Sequence, residues 1–392
     1  MSTPPKELSY WRAEVGQHMP HLSKPVLEVL VLWSYGIAYA QSCGRTVVTA
    51  FLALVLQQKA AAIEQRLYEW CIEAKHKSGK QRREWDVRSC FSPLLAWIVK
   101  LWKSEQIALV LDATSLGDRF VVLTVSVAYR QMGLPVAWMI LPAQEKHPWK
   151  TEWLILLRRL WRAIPRTWTV LVLTDRGLYA DWLFKRIVRL GWHPFMRVNG
   201  SGRFSPAVGS PQSAGRYLKD LISKEHPTYA GQGTVFGQQK RLTCTILCWW
   251  DEHYTDPWFI LTDLHPQHCQ VAWYGLRAWC EQGFKCIKRG GWQWQRTQMT
   301  DPTRAERLWL AMALAMLWVV SIGSTLEDSD SEFASLFVGW RPNSSSLPGH
   351  ARRFLRLARL GMVTLIAFAL LRRKPLLPRK LVPDPWPLSL PP

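Results

Sequence analysis

Two aspartates that close apolar runs are the first residues in this chain whose type and place could do chemistry. Asp112 closes LVLD and Asp175 closes VLTD. In α/β sheets, ligands and catalytic groups gather at the carboxyl ends of strands. Two carboxylates there would form an oxygen-rich site suited to Mg²⁺, which takes one or two carboxylates together with phosphate oxygens. A single Asp after a strand more often caps the next turn or helix, and it is the pairing that weighs against that blander reading. A third acid comes from WYGLRAWCEQGFKCIKRGG, where Tyr274, Arg277, Glu281 and Lys288 stand at offsets of 0, 3, 7 and 14. At ~100° per residue they fall within about 60° on one helical face. Glu281 can then complete a three-carboxylate site, with Arg277 and Lys288 beside it to hold phosphates. The charged side of an ordinary amphipathic helix would show the same pattern. Asp251, Glu252, Asp256, Glu327 and Glu332 are rival third acids, but none has basic partners at this spacing.

The elements that must position these residues follow from periodicity. IALVLD (107–112), RFVVLTVSVAY (119–129) and LPVAWMIL (134–141) read as three strands separated by Gly-containing turns. A helix over 149–163 follows, with Arg158, Arg159, Arg162 and Arg166 on it or just past it. WTVLVLTD (168–175) has the near-continuous apolarity of a central parallel strand. A helix over 180–190 leads to a strand at 193–198. The order β-β-β-α-β-α-β is that of the ribonuclease H-like fold, so the fold class is α/β with such a core at 105–323. Residues 199–263, rich in Gly, Ser, Pro and Gln before turning into short β runs, read as an inserted β subdomain. Helices resume over 270–285 and 303–322, with Thr303 and Glu306 spaced as a capping box.

Residues 1–104 read as a helical, DNA-binding domain. Two helices about a Gly44 turn fit a helix-turn-helix, and KHKSGKQRRE then places Lys75, Lys77, Lys80, Arg82 and Arg83 where phosphates could be held. A solvated linker is the plainer reading of that stretch. Residues 324–348 read as a linker, and 349–392 as a basic segment ending in a disordered, Pro-rich tail. Composition agrees: 50 Lys+Arg against 29 Asp+Glu give a net charge of +21, which calls for a polyanionic partner. A chain 48% hydrophobic is no disordered polycation. Eight cysteines without a Cys-x-x-Cys pair read as reduced, buried thiols. Cys244, Cys248, His265, His268 and Cys269 are the weaker zinc alternative. The longest apolar runs, 308–322 and 361–371, fall short of the ~18–20 residues of a membrane span. With no apolar signal core in MSTPPKELSY, the expectation is a cytoplasmic protein with no membrane partner.

Tyr-x2-Arg-x3-Glu-x6-Lys, from Tyr274 to Lys288, resembles the signature of the DDE transposases of the IS-four type of bacterial insertion sequences. Asp112 in DATSLGDR and Asp175 in TDRG resemble that family's first and second catalytic aspartates. The resemblance runs over about residues 105–325 and includes the β insertion. It implies a transposase that frees a mobile element by nicking, hairpin formation and hairpin opening, then joins the 3′ ends to a target. It implies two Mg²⁺ ions held by Asp112, Asp175 and Glu281, with Mn²⁺ as a substitute. Arg277 and Lys288 would contact phosphate, and Tyr274 the strand end. Trp258 in PWFILTDL would stack on a flipped base, with Trp249 and Trp250 as neighbouring competitors. The implied partners are double-stranded DNA (terminal inverted repeats and target) and a second copy on paired ends, at the bacterial nucleoid. Two other readings compete: a ribonuclease H-like nuclease or resolvase without strand transfer, and a non-catalytic DNA-binding relic. The full set of acids and bases weighs against the relic.

Overall fold

Among the described residues, five α-helices precede the first strand: α1 (Lys6–His18), α2 (Lys24–Ala40), α3 (Arg45–Leu56), α4 (Ala60–Cys71) and α5 (Phe91–Leu101). The computed structural model describes residues 4–77, 84–145, 147–207, 215–236, 241–251, 255–328 and 349–388. α2 starts where Ser23 and Pro25 suggest and ends on Gln41, whose φ of 52° turns the chain out of the helix. α3 then leaves at 96° to α2, within the range of a helix-turn-helix. The surface that α3 presents is short of cations. Arg45, Thr46, Val47, Ala50 and Leu54 are exposed there, and Arg45 is paired with Glu64 at 3.2 Å. Of the basic stretch, Lys75 pairs with Glu73 at 2.6 Å; Lys80, Arg82 and Arg83 lie outside the described residues.

The strands form one sheet. β1 (Gln106–Leu116), β2 (Phe120–Tyr129) and β3 (Met132–Pro142) make an antiparallel meander. β4 (Thr169–Thr174) joins β1 in parallel, and β5 (His193–Arg197) joins β4 in parallel. Helices α6 (Lys150–Leu160) and α7 (Asp181–Arg189) make the crossovers.

The region from 199 to 263 does not stand apart as the expected subdomain. Its strands β6 (Arg203–Pro206), β7 (Arg216–Tyr217), β8 (Thr228–Val235), β9 (Leu242–Trp249) and β10 (Trp258–Thr262) extend the same sheet. The order is β3-β2-β1-β4-β5-β10-β9-β8-β6-β7. The physical reason is apolar continuity: Phe259, Ile260 and Leu261 are buried like the core strands, so β10 pairs with β5 at Ile260↔Arg197 and Leu261↔Met196.

The expected continuous helix over 270–285 is three geometries in succession. A 3₁₀ run, Val271–Ala278, passes into α8 (Trp279–Lys285) and then a π turn, Cys286–Gly290. α8 sits hard on β3. A Cβ on Gly283 would overlap the Gly133 carbonyl oxygen, and one on Gly133 would come within 2.9 Å of the Cys280 Cα, so both positions need glycine for this close approach.

α9 (Pro302–Glu327) is longer than the run 308–322 suggested. It is the one unbroken described helix long and apolar enough to cross a membrane, yet nearly all of it is buried here, packed by α2, β3 and α10 (Gly349–Leu370). Its cap is Asp301, whose Oδ1 accepts from the Arg304 N–H at 3.0 Å. Glu306 is therefore free for another task, and it accepts from the Ile140 N–H at 3.0 Å.

The tail expected to be disordered is pinned over its described part. Leu381 bridges to Trp102, its N–H donating to the Leu101 carbonyl at 2.9 Å. Arg130 Nε donates to the Val382 carbonyl at 2.8 Å, and Trp386 meets Trp273 edge to face. Apolar side chains among the prolines give this segment a core to join.

Candidate active site

Register brings the two aspartates together. The last paired positions of β1 and β4 are Leu111↔Thr174, so the next residue on each chain is an aspartate. Asp112 does not end its strand: β1 continues to Leu116, paired with β2. Asp175 follows directly after β4. Its Oδ1 accepts from the Gly177 N–H at 2.9 Å, a local turn that fixes the carboxylate.

Arg277, from the 3₁₀ run, sits among three acids. Its Nη2 is 3.1 Å from Asp112 Oδ1 and 3.5 Å from Asp175 Oδ2, and its Nη1 is 3.2 Å from Glu281 Oε1. One guanidinium thus faces carboxylates from β1, the end of β4, and α8. Burial works against its charge, but Asp112 foremost, with Asp175 adding, holds its pKa above the ordinary value. Burial also pushes the Asp112 carboxyl up, against the pull of Arg277. Besides Arg277, Asp112 Oδ1 accepts from the Ala113 N–H at 2.9 Å, and Oδ2 from the Cys280 thiol at 3.0 Å.

A cleft of about 490 Å³ opens above this group, lined by the three acids and by Thr114, Lys285, Lys288 and Arg289 among others. Lys288 Nζ donates to Thr114 Oγ1 at 2.6 Å, and burial lowers its pKa, Arg289 adding to the effect. Asp112 lies deepest, and Asp175, Glu281 and the cations line the walls above it. Such a surface can seat a phosphodiester between cations while presenting carboxylate oxygens to its reacting atoms.

Asp112, Asp175, Arg277, Glu281 and Lys288 all reach this cleft. Tyr274 does not share their exposure. Its ring is buried and its hydroxyl donates to the Thr174 carbonyl at 3.1 Å, bracing the β4 end beside Asp175. A 3₁₀ turn repeats every three residues, so Tyr274 and Arg277 stack in register, but one points in and the other toward the acids. Trp258 is half-buried behind Tyr274, meeting it edge to face at 5.0 Å and Trp249 at 5.3 Å. Arg197 lies over its ring at 5.9 Å.

Thr114, Lys285, Arg289 and Cys280 had no place in the sequence reading. Thr114 was within reach, since it lies two residues past Asp112 on a strand and so shares its face. Lys285 follows Glu281 at helical spacing. Cys280 left no signal, because a cysteine among Trp279, Phe284 and Ile287 reads as packing.

As they stand, no three described His, Cys, Asp or Glu residues are arranged to hold a metal ion; Arg277 is the cation among the three acids. The donors themselves suit a hard divalent ion, since all are carboxylate oxygens gathered on one positive centre.

The family model described as Transposase DDE domain matches residues 104–318, a span holding all three acids. No curated protein matches the chain. Among solved structures, the cryo-EM structure of the piggyBac transposase synaptic complex with hairpin DNA is similar at 12% identity and a TM-score of 0.38, over 93% of this chain and 78% of that one.

Proposed function

The chain belongs to the Transposase DDE domain family and is a DDE transposase; from that premise we propose that it excises and inserts a mobile element at terminal inverted repeats. The steps are nicking, hairpin formation and opening, and strand transfer, as in the IS-four type. The observation that carries this reading is the Leu111↔Thr174 register, which sets Asp112 beside Asp175, with Glu281 joined to both through Arg277. The 3-2-1-4-5 order of the first five strands supports a ribonuclease H-like core, and the helices before β1 are its DNA-binding domain in this proposal.

Asp112, Asp175 and Glu281 would hold two Mg²⁺, or Mn²⁺ in their place, which supply Lewis-acid activation of the attacking oxygen and stabilise the leaving one. Arg277 and Lys288 orient the scissile phosphate, and a guanidinium suits two of its oxygens at once. Tyr274 holds the β4 end, and through it the position of Asp175. Trp258 receives the base flipped from the strand to be attacked, its indole stabilising that state by stacking. Two copies acting on paired ends at the bacterial nucleoid complete the proposal.

A strand-transfer assay with pre-cleaved ends tests it. Joined product is expected with wild-type protein, and none with Asp112→Asn, Asp175→Asn or Glu281→Gln, while duplex binding persists in each. Hydrolysis without any joined product would favour the nuclease reading. Joining by Glu281→Gln would move the third acid elsewhere.

A further inference from the structure

The face built by α6 and α7, outside the acidic cleft, carries cations that the protein leaves unbalanced. A groove of about 530 Å³ between the two helices is lined by Lys150, Arg158, Lys185, Arg186 and Arg189, with Asp181 as its single acid. That acid is already taken by Lys185 at 3.3 Å. Arg189 also lines a second groove, of about 410 Å³, which adds Arg166 and three tryptophans. There Arg162 and Arg166 hold their guanidinium groups over Trp161 at 5.7 and 5.8 Å. Lys150 lies over Trp182 at 5.8 Å. Among the described residues, Arg158, Arg162, Arg166, Arg186 and Arg189 have no carboxylate partner, and Arg186 keeps a buried Nε with no hydrogen bond at all. The neighbouring Arg159 shows the ordinary alternative, paired with Asp86 at 3.3 Å.

The strip has direction. β3 and β4 run parallel to β1, so α6 starts at the edge of the sheet where Asp112 and Asp175 lie and descends to the far edge. The unpaired arginines gather at the end of that descent, Arg158 in the last turn of α6 and Arg186 and Arg189 in the last turn of α7, with Arg162 and Arg166 just past α6, so they form one cationic cluster on which a phosphate backbone can lie. Stacking on tryptophan holds the side chains extended, so less freedom is lost when a phosphate arrives.

We infer that the α6–α7 face is a second DNA-binding surface, which holds the backbone of duplex DNA without regard to sequence. The inference rests on the transposase reading and adds to it: the DNA held here is a segment other than the one in the acidic cleft. Arg158 and Arg189 are exposed and make no described contact that their loss would break, so Arg158→Ala/Arg189→Ala should melt with the wild type.

The test is fluorescence anisotropy on a duplex of arbitrary sequence at several salt concentrations. Each lost phosphate contact lowers the log–log salt slope by about 0.9, so the double variant should lose about 1.8. Between roughly 50 and 200 mM salt its affinity should therefore fall about 12-fold less than that of wild type. A slope equal to that of wild type would overturn this surface alone. A wild-type protein with no salt-dependent affinity for any duplex would overturn the transposase reading along with it.

Discussion

The thiol of Cys280 donates to Asp112 Oδ2 across 3.0 Å, while Arg277 takes the other oxygen of the same carboxylate at 3.1 Å. Each oxygen of Asp112 therefore has its own partner, one neutral and from inside the packing, one charged and from the cleft. Burial, with Asp112 adding to it, pushes the Cys280 thiol well above its ordinary pKa, so it keeps the proton it donates.

Cys280→Ala should leave a buried carboxylate oxygen unsatisfied, at a cost of about 1–3 kcal/mol, and should slow single-turnover cleavage by letting Asp112 rotate. Cys280→Ser supplies a hydroxyl in the same place and should restore most of both. Melting curves and cleavage rates for the two variants decide. Equal behaviour of Ala and Ser would mean that the thiol only fills space.

Arg277 neutralises acids that face one another. In Arg277→Ala the Asp112 carboxylate, only 10% exposed, loses its charged partner. Breaking such a pair by removing one side costs about 3 kcal/mol. A divalent ion that binds the folded state alone stabilises it in proportion to its binding. Mg²⁺ should therefore raise the melting temperature of the variant more than that of the wild type, measured against EDTA. Identical Mg²⁺ responses would argue that the ion and the guanidinium do not compete for the same oxygens.

Trp258→Ala should spare the first nick and slow hairpin formation selectively, because in the proposed reaction only the second step needs the flipped base. With stacking worth ~1–3 kcal/mol, a slowing of roughly 5- to 150-fold is expected on a denaturing gel. Trp258 also packs on Tyr274 and Trp249, so some loss of melting temperature accompanies it. Loss of both steps in parallel would assign the indole to the core.

Glu306 offers a pH test away from the site. Burial raises its pKa, with Arg88 at 3.2 Å pulling it back. A carboxyl whose folded pKa is raised favours folding while it is protonated, below its unfolded pKa, and that share of stability is lost as pH rises through the folded value. Glu306→Gln cannot titrate and keeps an acceptor for the Ile140 N–H. Its denaturation midpoint should thus decline less between acid and neutral pH than that of wild type. Parallel pH profiles would place the titration elsewhere.

Much of the central architecture was legible because it rests on apolar runs and their period. The strands that carry Asp112 and Asp175 are among the most continuous of these, and their order followed from the alternation of elements. Register was not legible, although it is register that makes the two aspartates neighbours. The helix carrying Arg277 and Glu281 was read with one period throughout, whereas the chain changes from 3₁₀ to α to π to seat α8 on Gly133. Within the 3₁₀ part, Tyr274 is buried with its hydroxyl on the Thr174 carbonyl, a placement that a single helical face did not suggest. β10 was legible as a β run but not its place in the main sheet, and the Pro-rich tail was not legible because prolines and charges separate Leu381, Val382 and Trp386, which find partners only in three dimensions. Cys280 belongs to a third kind, a residue whose role depends wholly on its neighbour across the fold.

The joint between β5 and β10, in the middle of the strand order, is narrow. Two paired positions, Ile260↔Arg197 and Leu261↔Met196, hold it, together with the Val198 N–H donating to the Phe259 carbonyl at 2.9 Å. Mechanically, the sheet is two stiff plates in series across a narrow joint. Trp258 stands at the first position of the outer plate, while Asp112 and Asp175 belong to the inner one. The Trp258 indole rests edge to face on Tyr274, whose hydroxyl is bonded to the β4 end, so the indole is tied to both sides of the joint and registers the two plates against each other.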